Sequence, residues 1–251
     1  ILGNLFQLFY TLADSVIVGK TLGAESLAAV GSTSIIIYFV FCFINGFTGG
    51  FGICLGQRCG AKDEKGMRKS IAVSTLLSIA FTVVLTLVCC LLAHQILSWM
   101  QIPEDISGEA YDYMFVVLLG TGATVFYNMI SNMLRALGDS KTPLYFLVFS
   151  SVLNIVMDLW MVAGLGLGVF GAALATLIAQ GISAVFSLLI FFNRMRRYKS
   201  RFNWFDRQEL HSMLRIAVPS VLQQSTVSIG MMIVQAVVNP FGTQALAGYS
   251  A

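Results

Sequence analysis

Apolar residues gather along this chain into seven long runs, at about residues 1–20, 33–56, 69–98, 110–134, 143–163, 169–192 and 213–239, separated by short polar stretches. A run of ~20 apolar residues makes a helix long enough to cross the ~30 Å hydrocarbon layer of a bilayer. The pattern therefore predicts seven membrane-spanning helices.

Charge is confined mainly to the connections and alternates between them. The second connection carries Arg58, Lys62, Lys65, Arg68 and Lys69; the fourth has Lys141 with Arg135 nearby; the sixth has Arg194, Arg196, Arg197, Lys199, Arg201 and Arg207. The alternate connections hold Lys20 as their one cation, and Glu104, Asp105 and Glu109 crowd the third. Basic loops stay on the cytoplasmic side, so the N-terminal end is expected in the cytoplasm and the chain in the cell membrane as a multi-pass protein.

Composition agrees with lipid as the solvent: 57% of residues are hydrophobic and 11% charged, with a mean hydropathy of +0.81, where soluble domains carry about a quarter charged residues. The net charge of +3 needs no nucleic-acid partner, because the basic residues are those that orient the loops. Cys42, Cys54, Cys59, Cys89 and Cys90 show no CxxC spacing, and all but Cys59 lie in apolar runs, so they read as packing residues rather than a disulfide framework or zinc site. The chain opens inside an apolar run with neither an initiating Met nor a basic leader, so a short stretch is expected before Ile1.

Leu22-Gly23-Ala24-Glu25-Ser26-Leu27-Ala28 is echoed by Phe241-Gly242-Thr243-Gln244-Ala245-Leu246-Ala247 at an offset of 219 residues, each following an apolar run. The seventh span then restarts the first. The expected organisation is an all-α polytopic bundle: a six-helix lobe over 1–192, a basic cytoplasmic linker over 193–212, and from 213 to 251 the first helix of a second lobe, truncated here. Parallel repeats of this kind are common in transporters.

Chemistry must be sought among polar residues within the spans, where a carboxylate near mid-membrane costs at least ~2.5–3.5 kcal/mol. Asp14 and Asp158 each lie six residues before the outer end of their span, hence ~9 Å inside that boundary at 1.5 Å per residue. Asn154 sits one turn deeper on the face of Asp158, and Thr176 enters the sixth span at a comparable depth. Four oxygen-bearing side chains can converge, and carboxylate, amide and hydroxyl oxygens suit either a sodium ion or reversible protonation. The plainer reading is that each only bonds a neighbouring helix, at about 0.6 kcal/mol. That suffices for Thr176 and leaves the cost of two unpaired carboxylates unexplained. Asn45 on the second span and Asn128 and Asn132 on the fourth are possible cavity-lining residues, or interhelical hydrogen-bonders.

Other signals fail on context. Gly166-Leu167-Gly168-Val169-Phe170-Gly171 satisfies GxGxxG but lies between two membrane helices with no preceding strand. The pairs Gly46/Gly50 and Gly52/Gly56 suit close helix approach or bending. No hydrolytic constellation and no Walker motif occurs, so neither an enzyme nor direct use of ATP is expected.

Asp14-Ser15-Val16-Ile17-Val18-Gly19, Arg135-Ala136-Leu137-Gly138-Asp139-Ser140-Lys141-Thr142-Pro143 and Asn154-Ile155-Val156-Met157-Asp158 resemble multidrug and toxic compound extrusion (MATE) transporters. Gly60-Ala61-Lys62-Asp63 and Gly171-Ala172-Ala173-Leu174-Ala175-Thr176 fit the same pattern. The resemblance implies a twelve-helix antiporter of two six-helix lobes that exchanges sodium or protons for organic, often cationic, drugs. It maps the family's coupling residues onto Asp14, Asn154, Asp158 and Thr176, which are also the metal ligands if sodium is the ion. Implied partners are membrane lipid, small organic substrates and the second lobe; no other cofactor is implied. The alternatives are a lipid-linked substrate flippase, which calls for a cationic cavity, and a membrane-embedded enzyme using the paired carboxylates.

Cysteines introduced singly at Glu104 and Gly166 are expected to react with an impermeant maleimide added outside intact cells, and ones at Lys65 and Lys199 only after the membrane is opened. The opposite sidedness would reverse the assigned orientation.

Overall fold

The computed structural model describes residues 2–99, 104–195 and 206–238. Its elements are α1 (Leu2–Thr21), α2 (Ala24–Gly60), α3 (Glu64–Trp99), α4 (Glu104–Leu119), α5 (Thr121–Ala136), α6 (Lys141–Asp158), a π-helical turn over Leu159–Gly164, α7 (Gly168–Met195) and α8 (Arg207–Val238). No strand occurs among the described residues. Ala29–Gly60, Glu64–Leu97, Lys141–Gly164 and Gly168–Met195 are each long and apolar enough to cross a membrane. The expected fourth span is a broken one: α4 and α5 qualify together, bent by 43°. The break falls at Gly120, where a Cβ would stand 2.8 Å from Leu177 Cδ1 of α7. The same measure does not single out α1 or α8 over their described residues; α8 carries Arg207, Glu209, His211 and Arg215 ahead of Pro219.

α3 shows which solvent surrounds the bundle. Its inward face carries Ser70, Ser74 and Ser78, all fully buried, while Val83, Leu87 and Leu91 point outward and Leu91 is 77% exposed. Polar inside and apolar outside reverses the arrangement of a soluble helix and fits hydrocarbon, which rewards polar side chains only where protein partners meet them. Ser74 donates to the Ser70 carbonyl at 2.6 Å and Ser78 faces Met129 Sδ at 3.0 Å.

The turns at the basic end are built by one local device. After α2, Lys62 N–H donates to Cys59 O at 3.0 Å and Asp63 N–H to Arg58 O at 3.1 Å; after α5, Gly138 N–H donates to Arg135 O at 3.0 Å and Asp139 N–H to Leu134 O at 2.9 Å. Both are Schellman motifs, which require a left-handed residue just past the helix: Gly138 has φ 86° and Lys62 has φ 54°. The next aspartate then caps the following helix. Asp63 Oδ1 accepts Gly66 N–H at 2.9 Å, and Asp139 Oδ1 accepts the N–H groups of Lys141 and Thr142 at 3.1 and 3.0 Å. Asp206 caps α8 in the same way, from Gln208 N–H at 2.9 Å and Glu209 N–H at 3.2 Å.

Each capping aspartate also holds a cation: Asp63 with Arg58 at 3.6 Å, Asp139 with Arg194 at 2.7 Å, Asp206 with Lys69 at 2.7 Å. Burial alone would raise the Asp139 carboxyl, but the Thr142 bonds and the Arg194 guanidinium outweigh it and hold the group below the ordinary carboxylate range. The Lys69 bond does the same for Asp206. A lowered carboxylate stabilises fully above its unfolded pKa, and that contribution fades only as pH falls through the lowered value.

α2 packs closely along α8. A Cβ at Gly50 would lie 2.6 Å from Ala217 Cα, and one at Gly46 would lie 2.7 Å from Val221 Cα, so the two backbones touch. Eight residues further along the same register, Arg58 meets Glu209 at 2.6 Å, and Ser70 Oγ also donates to Glu209, whose side chain is 4% exposed. The expected role of Gly46 and Gly50 in close approach is what the backbones show. Gly52 and Gly56 face Asn132 and Ala136 of α5 more loosely. The echo Phe241–Ala247 lies outside the described residues, as do residues 196–205 of the linker expected over 193–212; the two ends of that stretch are helical, in α7 to Met195 and in α8 from Arg207.

Gly50→Leu is expected to force α2 and α8 apart and destabilise the bundle by about 1–3 kcal/mol, read as a lower detergent melting temperature. Gly49→Leu, with no atom within 4 Å of its Cβ position, should melt like the native chain; equal loss in both would refute the backbone contact.

Candidate functional site

Asp14 stands near the middle of α1, Asn154 and Asp158 on the last turn of α6, and Thr176 in the third turn of α7. The helices bring all four together. Asp158 is fully buried, Asn154 is 1% exposed and Asp14 8% exposed. Asn154 links the helices: the orientation of its amide that satisfies all partners has Nδ2 donating to Asp158 Oδ2 at 2.9 Å, while Oδ1 accepts the Thr176 hydroxyl at 3.1 Å and its backbone N–H at 3.2 Å. The Thr176 hydroxyl also lies 3.1 Å from the Ala172 carbonyl of its own helix. The carboxyl groups of Asp14 and Asp158 meet within hydrogen-bonding reach.

Two oxygens at this meeting point have no hydrogen-bond partner among the described residues: Asp14 Oδ1 and Asp158 Oδ1. No Lys or Arg among those residues pairs with either aspartate. Two carboxylates in contact and out of water repel each other strongly, so the pair needs a positive charge, whether proton or metal ion, between its oxygens. The donor set is all oxygen, which suits a hard cation. In that orientation of its amide, Asn154 presents its donor to Asp158 and its oxygen to Thr176.

The three asparagines expected as cavity-lining residues make their hydrogen bonds outside this cluster. Asn132 bridges helices, its Nδ2 donating to Thr48 Oγ1 at 3.2 Å while Arg135 donates to its Oδ1 at 3.1 Å. Asn45 and Asn128 donate back to their own helices, at Phe41 O (3.0 Å) and Thr124 O (2.9 Å). Sequence reasoning passed over two polar features. Thr124 donates to Gln180 Oε1 across α5 and α7. Glu209 is buried although it follows a charged stretch that hydropathy marks as a loop, and its partner Arg58 lies 151 residues away, so no local spacing gave a cue.

A family model described as MatE matches residues 1–160. The chain is 32% identical over 257 residues to the probable multidrug resistance protein YpnP of Bacillus subtilis, covering 100% of this chain and 56% of that protein. The crystal structure of a MATE transporter in the straight conformation superposes with a TM-score of 0.88 at 30% identity, covering 99% of this chain and 56% of that one. A transporter of the MOP superfamily from Pyrococcus furiosus, described as having a binding pocket of reverse polarity, superposes with a TM-score of 0.87 at 29% identity, over 99% of this chain and 56% of that one. The chain thus spans about half the length of the relatives it matches. Its sequence and its helical architecture agree, and the chain belongs to the MatE family of transporters.

Proposed function

We propose that this chain is the front part of a cation-coupled antiporter that exports small organic, cationic molecules, with Asp14, Asn154, Asp158 and Thr176 holding the coupling ion. The observation that carries the proposal is the pair of buried carboxyls in contact, each with an orphaned oxygen and neither with a basic partner among the described residues. Structural pairing would supply an Arg or Lys; a site left one positive charge short is one that binds and releases it. The multidrug names of relatives such as YpnP support organic drugs as the cargo.

Transport proceeds by alternating access. The ion binds from outside and favours the inward-directed state, and drug binding with ion release favours the return. Closure of α8 on α2 at Gly46 and Gly50, sealed by Arg58 and Glu209 at the basic end, supports an arrangement shut toward the cytoplasm. A lipid-linked flippase calls for cations in the cavity, and the buried charged side chains among the described residues are Asp14, Asp158 and Glu209, none of them a cation. An enzyme would turn over without a sealed compartment, which separates it from the antiporter by one control.

The test uses a full-length transporter containing this chain, reconstituted in vesicles energised by a sodium gradient alone or a proton gradient alone. Asp14→Asn and Asp158→Asn should each abolish gradient-driven dye export with expression retained, since both keep volume and remove the charge. Thr176→Ala should act more mildly. Native export by both asparagine variants would refute the assigned site.

A further inference from the structure

Asp158 is the last α-helical residue of α6, and the chain runs on without interruption into the π-helical turn Leu159–Gly164. Hydrogen bonds here reach further back than in an α-helix: Leu165 N–H donates to Trp160 O at 2.9 Å and Leu167 N–H to Met161 O at 3.1 Å. A π turn accommodates an extra residue and rotates the residues beyond it relative to the helix before it, and such turns occur frequently at functional sites. Leu159 and Trp160 face outward, while Met161 and Val162 are buried.

The buried half of the turn touches each helix that carries a site residue. Val162 belongs to one packed cluster with Val18, one turn beyond Asp14 on α1, and with Ala172, one turn before Thr176 on α7. The first turn of α7 lies directly on the turn's backbone at Gly171. A Cβ there would be 2.9 Å from Leu167 Cβ, 3.3 Å from the Met161 carbonyl oxygen and 3.4 Å from its carbon. Gly171 N–H also bonds Leu167 O at 3.2 Å, tying the start of α7 to the loop that leaves the turn. This glycine-to-backbone contact lies five residues before Thr176, on the helix that the Asn154 amide bridges to α6.

We propose that the π-helical turn and its contact with Gly171 form a positioning element for the cation site: Met161 and Gly171 set the geometry of Asp158, Asn154 and Thr176, and so the affinity for the ion, without touching it. The proposal rests on the coupling role given to Asp14, Asn154, Asp158 and Thr176. A methyl at Gly171 pushes α7 off the turn and lengthens the Asn154–Thr176 bridge, while every oxygen donor remains in the chain. Substitution of groups that only orient ligands typically weakens ion binding about 10- to 100-fold.

The experiment measures export against sodium concentration at fixed pH and against pH at fixed sodium, in vesicles holding the full-length transporter, together with dye affinity in the absence of sodium. Gly171→Ala should shift the half-saturating sodium concentration, or the midpoint of the pH profile if protons couple, by about tenfold or more, with dye affinity unchanged. Gly181→Ala on the same helix, whose Cβ position has no atom within 4 Å, should stay within about twofold of native, the ordinary effect of a substitution that touches nothing. If Gly171→Ala does not reach the membrane, deletion of Ala163, an exposed residue of the turn, serves in its place with the same expected shift. An ion dependence within about twofold of native, or a parallel fall in dye affinity, overturns the positioning role, and the coupling reading survives that result so long as Asp158→Asn is inactive. Native ion dependence in Asp158→Asn removes both.

Discussion

Hydrocarbon offers no hydrogen bonds, so each polar atom within the spans of this chain has to find its partner in the protein itself. That constraint turns Ser70, Ser74 and Ser78 inward on α3 and sends Leu87 and Leu91 outward. It also explains why so many hydroxyls, among them Thr48, Thr75 and Ser151, close onto the carbonyl one turn back on their own helix at 2.7–2.8 Å. Among the described residues six buried side-chain oxygens lack a partner; four are hydroxyls, of Thr82, Ser183, Ser187 and Ser228, and the two that belong to carboxyl groups are those of Asp14 and Asp158.

The same medium dictates how helices hold together. Burial of apolar side chains gives little advantage over lipid, so cohesion depends on backbones that can touch and on polar bridges between helices. α2 uses both on α8: glycines against Ala217 and Val221 along the span, then Arg58, joined by Ser70 of α3, on Glu209 at the end. Glu209 is a buried charge whose loss of Arg58 would leave it unpaired, a more costly state than never having had the pair. The two kinds of contact share one register, so neither can slide without breaking the other.

Much of this was legible in the sequence. Apolar runs placed α1, α6 with its π turn, and α7 to within three residues, because a span must meet the thickness of the bilayer wherever it lies, whereas α2 begins at Ala24, nine residues before its run, and α4 and α8 begin six before theirs. Equal depth brought Asp14, Asn154, Asp158 and Thr176 together, since axial position along a helix follows from counting residues. Rotation and bending do not follow from counting. The break at Gly120 lies inside a stretch that hydropathy reads as one span, and the close approach of Leu177 from a distant helix has no sign in the local sequence. The π turn after Asp158 has no compositional sign, and Glu209 was masked by charged neighbours. The asparagines at 45, 128 and 132 were ambiguous for the same reason: whether an amide reaches across or folds back is a matter of facing, which the sequence alone does not fix.

The capped turns at the basic end carry a consequence for assembly. Every bond in the Schellman motif and cap after α2 joins residues no more than five apart, and the turn after α5 is equally local. Contacts so close in sequence form in microseconds or less and need no other part of the chain. The hairpins α2–α3 and α5–α6 can therefore acquire their geometry as each emerges from synthesis. The bond from Arg58 to Glu209, separated by 151 residues, must wait. Arg58 also stands 3.6 Å from Asp63, five residues along, so a local partner is within its reach before α8 is made.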